Sequence, residues 1–166
     1  MLIVAGVTMI IGAFGALAQT DVKRILSFHV ISQIGYMLMG LGLFSAAGTA
    51  GAILFLIHHM PVKTALFLVG GLIENHQGTS RLDRSGGLVT KRPIIAVLFA
   101  IPALSLAGLP PFSGFVAKLG VISAGIEADQ YVVVIVALVA GALTLLSMTK
   151  IWIGVFWGKT TEASAM

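Results

Sequence analysis

Hydrophobic positions fall into five runs along the chain, at about 2–18, 25–47, 50–73, 93–126 and 131–157. Each meets the need of roughly 20 apolar residues for one transmembrane helix, the first only just. The pattern predicts an all-α integral membrane protein with about five transmembrane helices. The fourth run is interrupted. It reads "PIIAVLFAIPALSLAGLPPFSGFVAKLGVISAGI", with Pro110 and Pro111 in the middle and Gly108 and Gly114 around them. Proline lacks an amide donor and clashes with the preceding turn, so a straight helix cannot run through this point. Either two complete spans or one discontinuous span of two half-helices would fit the run.

The loops decide between these. With five spans, Lys23, Arg24, Arg81, Arg84, Lys91, Arg92 and Lys159 all fall on one side. The other side receives the neutral 48–50 turn and the acidic "EADQ" at 127–130. Basic loops mark the cytoplasmic side, so five spans give a clean positive-inside pattern and six do not. The expected location is the cell inner (plasma) membrane, with the basic loops cytoplasmic. Met1 then lies outside, and no charged segment precedes the first run as in a signal peptide. The chain is therefore expected to begin partway through a longer protein. Its transmembrane domain is expected over 1–158, with a short polar tail at 159–166. No internal repeat stands out.

Composition agrees. The chain is 58% hydrophobic and 10% charged, with mean hydropathy +1.06. Soluble domains carry roughly 25% charged residues, which sets a water-soluble globule aside. The absence of cysteine excludes disulfides and thiolate chemistry. A net charge of +4 does not point to nucleic acid, because the basic residues sit in short patches between apolar runs. No nucleotide loop, catalytic triad or metal-ligand cluster appears, and no cofactor or metal site is expected. Haem and iron–sulfur ligand patterns are missing as well.

Three basic residues remain inside the spans: Lys63, Lys118 and Lys150. Lys63 is roughly 15–20 Å from either end of its run, near the midplane. Its side chain reaches only about 6 Å, too short to carry the ammonium to the interface. His59 is one turn earlier on the same face. Pro61 leaves the carbonyl of Ile57 without its helical donor. Lys63 reads either as a packing residue neutralised by desolvation or as a proton carrier. Intramembrane ionisable groups favour the second reading. His58 points about 100° away, as a relay member or a hydrogen-bonding partner of a neighbouring helix.

Lys118 follows the break at Pro110, Pro111 and Gly114. Irregular backbone at membrane depth is tolerated only beside protein or a watery cavity, and transporters build ion sites there. The bland alternative is a proline kink with Lys118 reaching outward. Lys150, near Trp152 and Trp157, is adequately explained by snorkelling toward an aromatic belt. In the second run, His29, Ser32, Gln33 and Tyr36 form one polar stripe at helical spacing. Such a stripe is either interhelical glue or the lining of a hydrated path. Asp21 and Lys23, just before it, read as an ion pair at the membrane edge or as ordinary loop charges.

"QTDVKRILSFHVISQIGYM", "HHMPVKTALFL" and "SLAGLPPFSGFVAK", in this order, resemble the antiporter-like subunits shared by Mrp-type cation/proton antiporters and respiratory complex I. "HHMPVKTALFL", the "AGIEA" turn and the terminal "FWG" are most similar to the D-type subunits of Mrp-type Na⁺/H⁺ antiporters. The resemblance covers about residues 2–158. It implies two inverted five-helix repeats within about fourteen helices, each repeat with one discontinuous helix. This chain corresponds to the second repeat, without the first half and the final helix. It implies a proton relay in which the Lys63 position lies on a central hydrophilic axis and Lys118 lies near the exit. His59 would link them. From the residues themselves, His58 and His29 are further candidates for such a relay, or polar contacts between helices. Some complex I subunits carry another histidine where this chain has Phe55, so the relay must cross that gap by water or another helix. The partners implied are other subunits of a hetero-oligomeric antiporter, the lipid bilayer, protons and a monovalent cation. The alternative is a proton-pumping membrane subunit of NADH–quinone oxidoreductase or of a membrane-bound hydrogenase. A purely structural membrane scaffold is disfavoured by the midplane lysine and the break.

Overall fold

The computed structural model describes residues 1–158; the expected polar tail, with Lys159, lies outside them. Seven α-helices follow one another: α1 (Leu2–Ala18), α2 (Val22–Gly42), α3 (Ala46–Gln77), the single turn α4 (Leu88–Lys91), α5 (Pro93–Ala107), α6 (Ser113–Glu127) and α7 (Tyr131–Ile151). A π-helical turn, Trp152–Trp157, continues α7. Three helices are long and apolar enough to cross a membrane: α2, α3 and α7 with its extension. α1 and α5 are shorter apolar helices. α5 and α6 are the two half-helices of the discontinuous span, which completes the expected five.

Local chemistry sets the boundaries. The side chain of Asp21 accepts from the Arg24 amide at 3.1 Å and caps α2; that of Ser45 accepts from the Gly48 amide at 3.0 Å and caps α3. The second apolar run therefore stops at a turn before Ser45 and does not run on to 47. α3 passes through Pro61 without interruption and extends to Gln77, well beyond the apolar run. At 1.5 Å per residue its 32 residues span about 48 Å, more than a hydrocarbon core. Gly78, with φ of 71°, ends it in the left-handed conformation.

Two apolar clusters hold the bundle. One gathers Ile25, Leu26, Leu66, Phe99, Ile151 and Phe156 toward the basic end. The other gathers Met9, Tyr36, Met39, Phe55, Val121 and Ala137 toward the opposite end. Buried polar residues occupy the layer between them: His29, Ser32, Gln33, His59, Lys63, Thr144 and Ser147. Small residues Ala5, Ala13 and Ala16 are fully buried along α1. That is the composition by which membrane helices approach closely, since lipid gives no hydrophobic drive.

The basic end is tied by polar contacts that sequence spacing does not show. Lys23 pairs with Glu74 of α3, not with Asp21. Asp21 is occupied by its cap and by the Ser80 hydroxyl. The edge pair expected at Asp21 and Lys23 is thus replaced by two contacts to the 74–80 segment. The Arg81 guanidinium holds both Asp83 oxygens, at 3.0 and 2.9 Å. These hydrogen bonds hold the Asp83 carboxyl below its ordinary range.

Lys150 also departs from its expected place. Its ammonium donates to the carbonyls of Leu17 and Gln19, each at 2.7 Å, instead of running out to the tryptophans. α1 has no basic side chain in its own last turn; the Gln19 amide closes the Ala16 carbonyl, and the lysine of α7 supplies donors to Leu17 and to Gln19 just past the helix. Lys150→Ala is expected to destabilise the assembled protein by about 1.5–3 kcal/mol, the range for hydrogen bonds to a charged group. Transport per assembled complex should stay unchanged, and Lys150→Arg should retain most of the stability. Thermal unfolding of purified complex checks this; lost transport with unchanged stability would overturn the capping role.

Candidate functional site

The polar layer forms where α2, α3 and α7 meet, and the break lies against α3. Each turn of α3 faces a turn of α2 in antiparallel register. Lys63, only 6% exposed, donates its ammonium to the Leu26 carbonyl at 2.8 Å. Two turns back along α3, the Phe55 ring stacks on Tyr36, with centroids 5.2 Å apart and planes 9° from parallel. His59, between these points, stacks on Phe55 at 6.3 Å. Neither Lys63 nor Lys118 has a carboxylate within salt-bridge distance: among the described residues the ion pairs are Lys23–Glu74 and Arg81–Asp83.

His29 is completely buried, and its Nε2 lies 2.6 Å from Ser147 Oγ. The Ser147 hydroxyl donates to the Thr144 carbonyl at 2.9 Å, so Nε2 must be the donor to Ser147. In a neutral ring Nδ1 is then the acceptor nitrogen, and it has no protein partner. His59 Nδ1 and both amide atoms of Gln33 are likewise buried without a protein partner. Buried polar atoms are nearly always hydrogen-bonded, so unpartnered ones gathered in one layer mark a place suited to water.

The stripe His29, Ser32, Gln33 and Tyr36 is fully buried but does not line one path. Ser32 donates to the Met9 carbonyl of α1 at 3.0 Å. Tyr36 donates to the Ala137 carbonyl of α7. Of the stripe, only His29 and Gln33 keep side-chain polar atoms without a protein partner.

The break is built from Gly108 to Phe112. Gly108 ends α5 with φ of 84°, a conformation that side chains disfavour, and the Lys118 side chain packs against it. The Pro110–Pro111 bond is cis. Lys118, 7% exposed, donates to the Ala107 carbonyl across the break at 2.9 Å. Its ammonium also lies 5.4 Å from the Tyr36 ring centroid, within cation–π range. The reading of a plain kink with Lys118 reaching outward is not met. Beside it is a cavity of about 280 Å³ lined by Tyr36, Gly108, Phe115, Lys118, Leu119 and Gly141.

The sequence-predicted residues thus form two groups. Lys63, His59 and His29 share the polar layer; Lys118 sits at the break. The Phe55 and Tyr36 rings separate them, with Phe55 filling the place where a further histidine would stand. His58 connects the groups differently: its Nδ1 lies 2.9 Å from Ser113 Oγ, at the first residue of α6. Ser105 Oγ of α5 is 3.4 Å from Ser113 Oγ. Ser105, Ser113 and Ser147 escaped sequence reasoning, because a serine in an apolar helix gives no signal until its neighbours are known.

Comparison with known proteins agrees with this architecture. Residues 1–144 match the family described as NADH:quinone oxidoreductase/Mrp antiporter, transmembrane. The chain is 50% identical to the Na⁺/H⁺ antiporter D subunit of Alkalihalophilus pseudofirmus, over 99% of this chain and 34% of that protein. It is 36% identical to the Na⁺/H⁺ antiporter D subunit of Bacillus subtilis, over 98% of this chain and 33% of that protein. It therefore spans about a third of the length of the curated relatives it matches. One chain in the structure of the Mrp complex from Dietzia sp. DQ12-45-1b superposes with TM-score 0.93 at 49% identity, over 96% of this chain and 30% of that one. A chain of the membrane-bound sulfane sulfur reductase, an archaeal respiratory membrane complex, superposes with TM-score 0.90 at 30% identity, over 95% of this chain and 26% of that one. The bundle, its broken helix and these matches agree: the chain is a multi-pass membrane protein belonging to the NADH:quinone oxidoreductase/Mrp antiporter transmembrane family.

Proposed function

We propose that this chain is part of a subunit of a multisubunit monovalent cation (Na⁺)/proton antiporter, and that it moves protons through a Lys/His relay. One observation carries the reading. Two lysine ammoniums are buried inside the bundle, each held by one backbone carbonyl and by no carboxylate, and the same bundle buries three histidines, His29, His58 and His59. A permanently charged lysine in that position would be left without a counter-ion, at considerable cost. A lysine that exchanges its proton with neighbouring imidazoles avoids holding the charge there.

In this reading Lys63 and Lys118 load and release protons, and His29 and His59 serve the polar layer. His58 reaches the break. The basic loops face the cytoplasm and the membrane is the cell inner membrane. Partners are the remaining subunits of the complex, and the exchanged cation binds outside the described segments. The identities to antiporter D subunits, 50% and 36%, favour an antiporter over a respiratory subunit. The second reading, a proton-translocating subunit of a redox-driven complex, draws on the 30% identical respiratory neighbour.

The test uses the full-length subunit in its complex, in inverted vesicles. A sodium pulse should drive proton movement, and Lys118→Ala should lower it by about tenfold, equivalent to ~1.4 kcal/mol of barrier. Assembly should remain close to normal, since α6 is also held by Ala117 and Val121, both buried in the apolar cluster. Wild-type exchange in fully assembled Lys118→Ala would remove this residue from the pathway. Proton movement that requires an electron donor and ignores sodium would favour the second reading.

A further inference from the structure

Two connections lead from α3 to the broken helix, and they differ in chemistry. The first runs from His59 through aromatic rings: His59 on Phe55 at 6.3 Å, Phe55 on Tyr36 at 5.2 Å, and the Lys118 ammonium 5.4 Å from the Tyr36 centroid. Carbon faces make up its middle, and the Tyr36 hydroxyl is committed to the Ala137 carbonyl. No proton or hydrogen-bond signal passes along stacked rings. The second is a row of hydrogen-bonding atoms, His58 Nδ1 to Ser113 Oγ at 2.9 Å and Ser113 Oγ to Ser105 Oγ at 3.4 Å.

We propose that His58, Ser113 and Ser105 form the bridge that couples α3 to the break, with Ser113 as the positioning residue at its centre. The proposal rests on the proton-relay reading but assigns its link to the break to these three residues, not to His59.

A hydroxyl donates and accepts at once, so the row has a direction. When His58 Nδ1 is an acceptor, Ser113 donates to it and accepts from Ser105. When Nδ1 carries the proton, Ser113 accepts from it and donates to Ser105. Both hydroxyls then turn together, and no bond is left unmade within the row. Ser105 lies in the last turn of α5, two residues before Ala107, whose carbonyl holds the Lys118 ammonium. The orientation of the row therefore changes the dipoles at the anchor of Lys118.

Ser113 is well placed for this and not explained otherwise. It is the first residue of α6, preceded by Phe112, which supplies no side-chain cap. Its hydroxyl instead joins α3 to both half-helices. It is an exposed residue of this unit at membrane depth, where lipid would supply no hydrogen bond, so its polar contacts are those of the bridge.

The experiment is a double-mutant cycle in the full-length complex, read as sodium-driven proton exchange at matched complex levels. His58→Ala and Ser113→Ala should each lower exchange about tenfold, and the double variant should do no worse than either alone. Ser113→Thr, which keeps the hydroxyl, should remain within about threefold of wild type. Two independent residues would instead multiply, to about a hundredfold loss, and that would overturn the bridge. Wild-type exchange by assembled Ser113→Ala would overturn it too. Should Ser113→Ala fail to assemble, Ser105→Ala takes its place in the cycle with the same expectations. Normal exchange in the Lys63→Arg variant with a coupled His58–Ser113 cycle would remove the Lys63 relay and leave the bridge standing. Loss in Lys63→Arg with multiplicative His58 and Ser113 effects would do the reverse.

Discussion

Lys63→Arg, in the full-length subunit within its complex, is expected to stop exchange as completely as Lys63→Ala, by about 100-fold or more (~2.7 kcal/mol of barrier). The two substitutions separate charge from proton exchange. A desolvated lysine can give up its proton, whereas an arginine guanidinium holds its own throughout the accessible pH range. The Lys63 ammonium is held by a single carbonyl, that of Leu26, and has no carboxylate beside it. If its task were to brace α3 against α2, a guanidinium could donate to the same carbonyl and arginine would function. If its task is to load and release a proton, arginine stays loaded and blocks the path. Exchange in inverted vesicles, at matched complex levels across a broad pH range, decides. Near-normal rates for the arginine variant would take Lys63 out of the pathway. His59→Ala should give a milder loss than either Lys63 variant, since the layer already holds unpartnered polar atoms at which water can bridge.

What could be read in advance depended on whether the signal was local. The spans were legible because lipid demands long apolar runs, and the break because Pro110, Pro111 and the flanking glycines forbid a continuous helix. Lys63 and Lys118 stood out because a cation at membrane depth is rare for energetic reasons. The partners of these residues were not legible. Ser147 meets His29 from 118 positions away, and Lys150 reaches back 133 positions to close α1. Phe55 stood out only as the absence of a histidine. Its stacking on Tyr36 and His59 depends on the register of α2 against α3, which no periodicity within either helix reveals. The pairing of Lys23 with Glu74 has the same origin: α3 continues past its apolar run and carries the carboxylate to the start of α2.

The break makes the second large prediction. Gly114 lies so close to the end of α5 that an added Cβ would be 1.7 Å from the Ser105 carbonyl oxygen and 2.9 Å from His58 Nε2. The nearer obstacle is backbone, so no side chain can turn aside to admit a methyl group. The start of α6 would have to retreat by about 1.5 Å, and overpacking of this kind costs roughly 1–3 kcal/mol or more. That retreat separates Ser113 from His58 and Ser105, and carries Lys118 away from the Ala107 carbonyl. Gly114→Ala should therefore lower the amount of assembled complex several-fold and reduce exchange by what remains to below about a tenth. Gly71 provides the control. It lies in α3 with no atom of this chain within 4 Å of an added Cβ, so Gly71→Ala meets no clash within the bundle and replaces a poor helix former. That variant should assemble and exchange as the wild type does. Quantified complex in membranes and exchange in vesicles are the two readouts. Full assembly with normal exchange in Gly114→Ala would show that the half-helices need not approach this closely for transport.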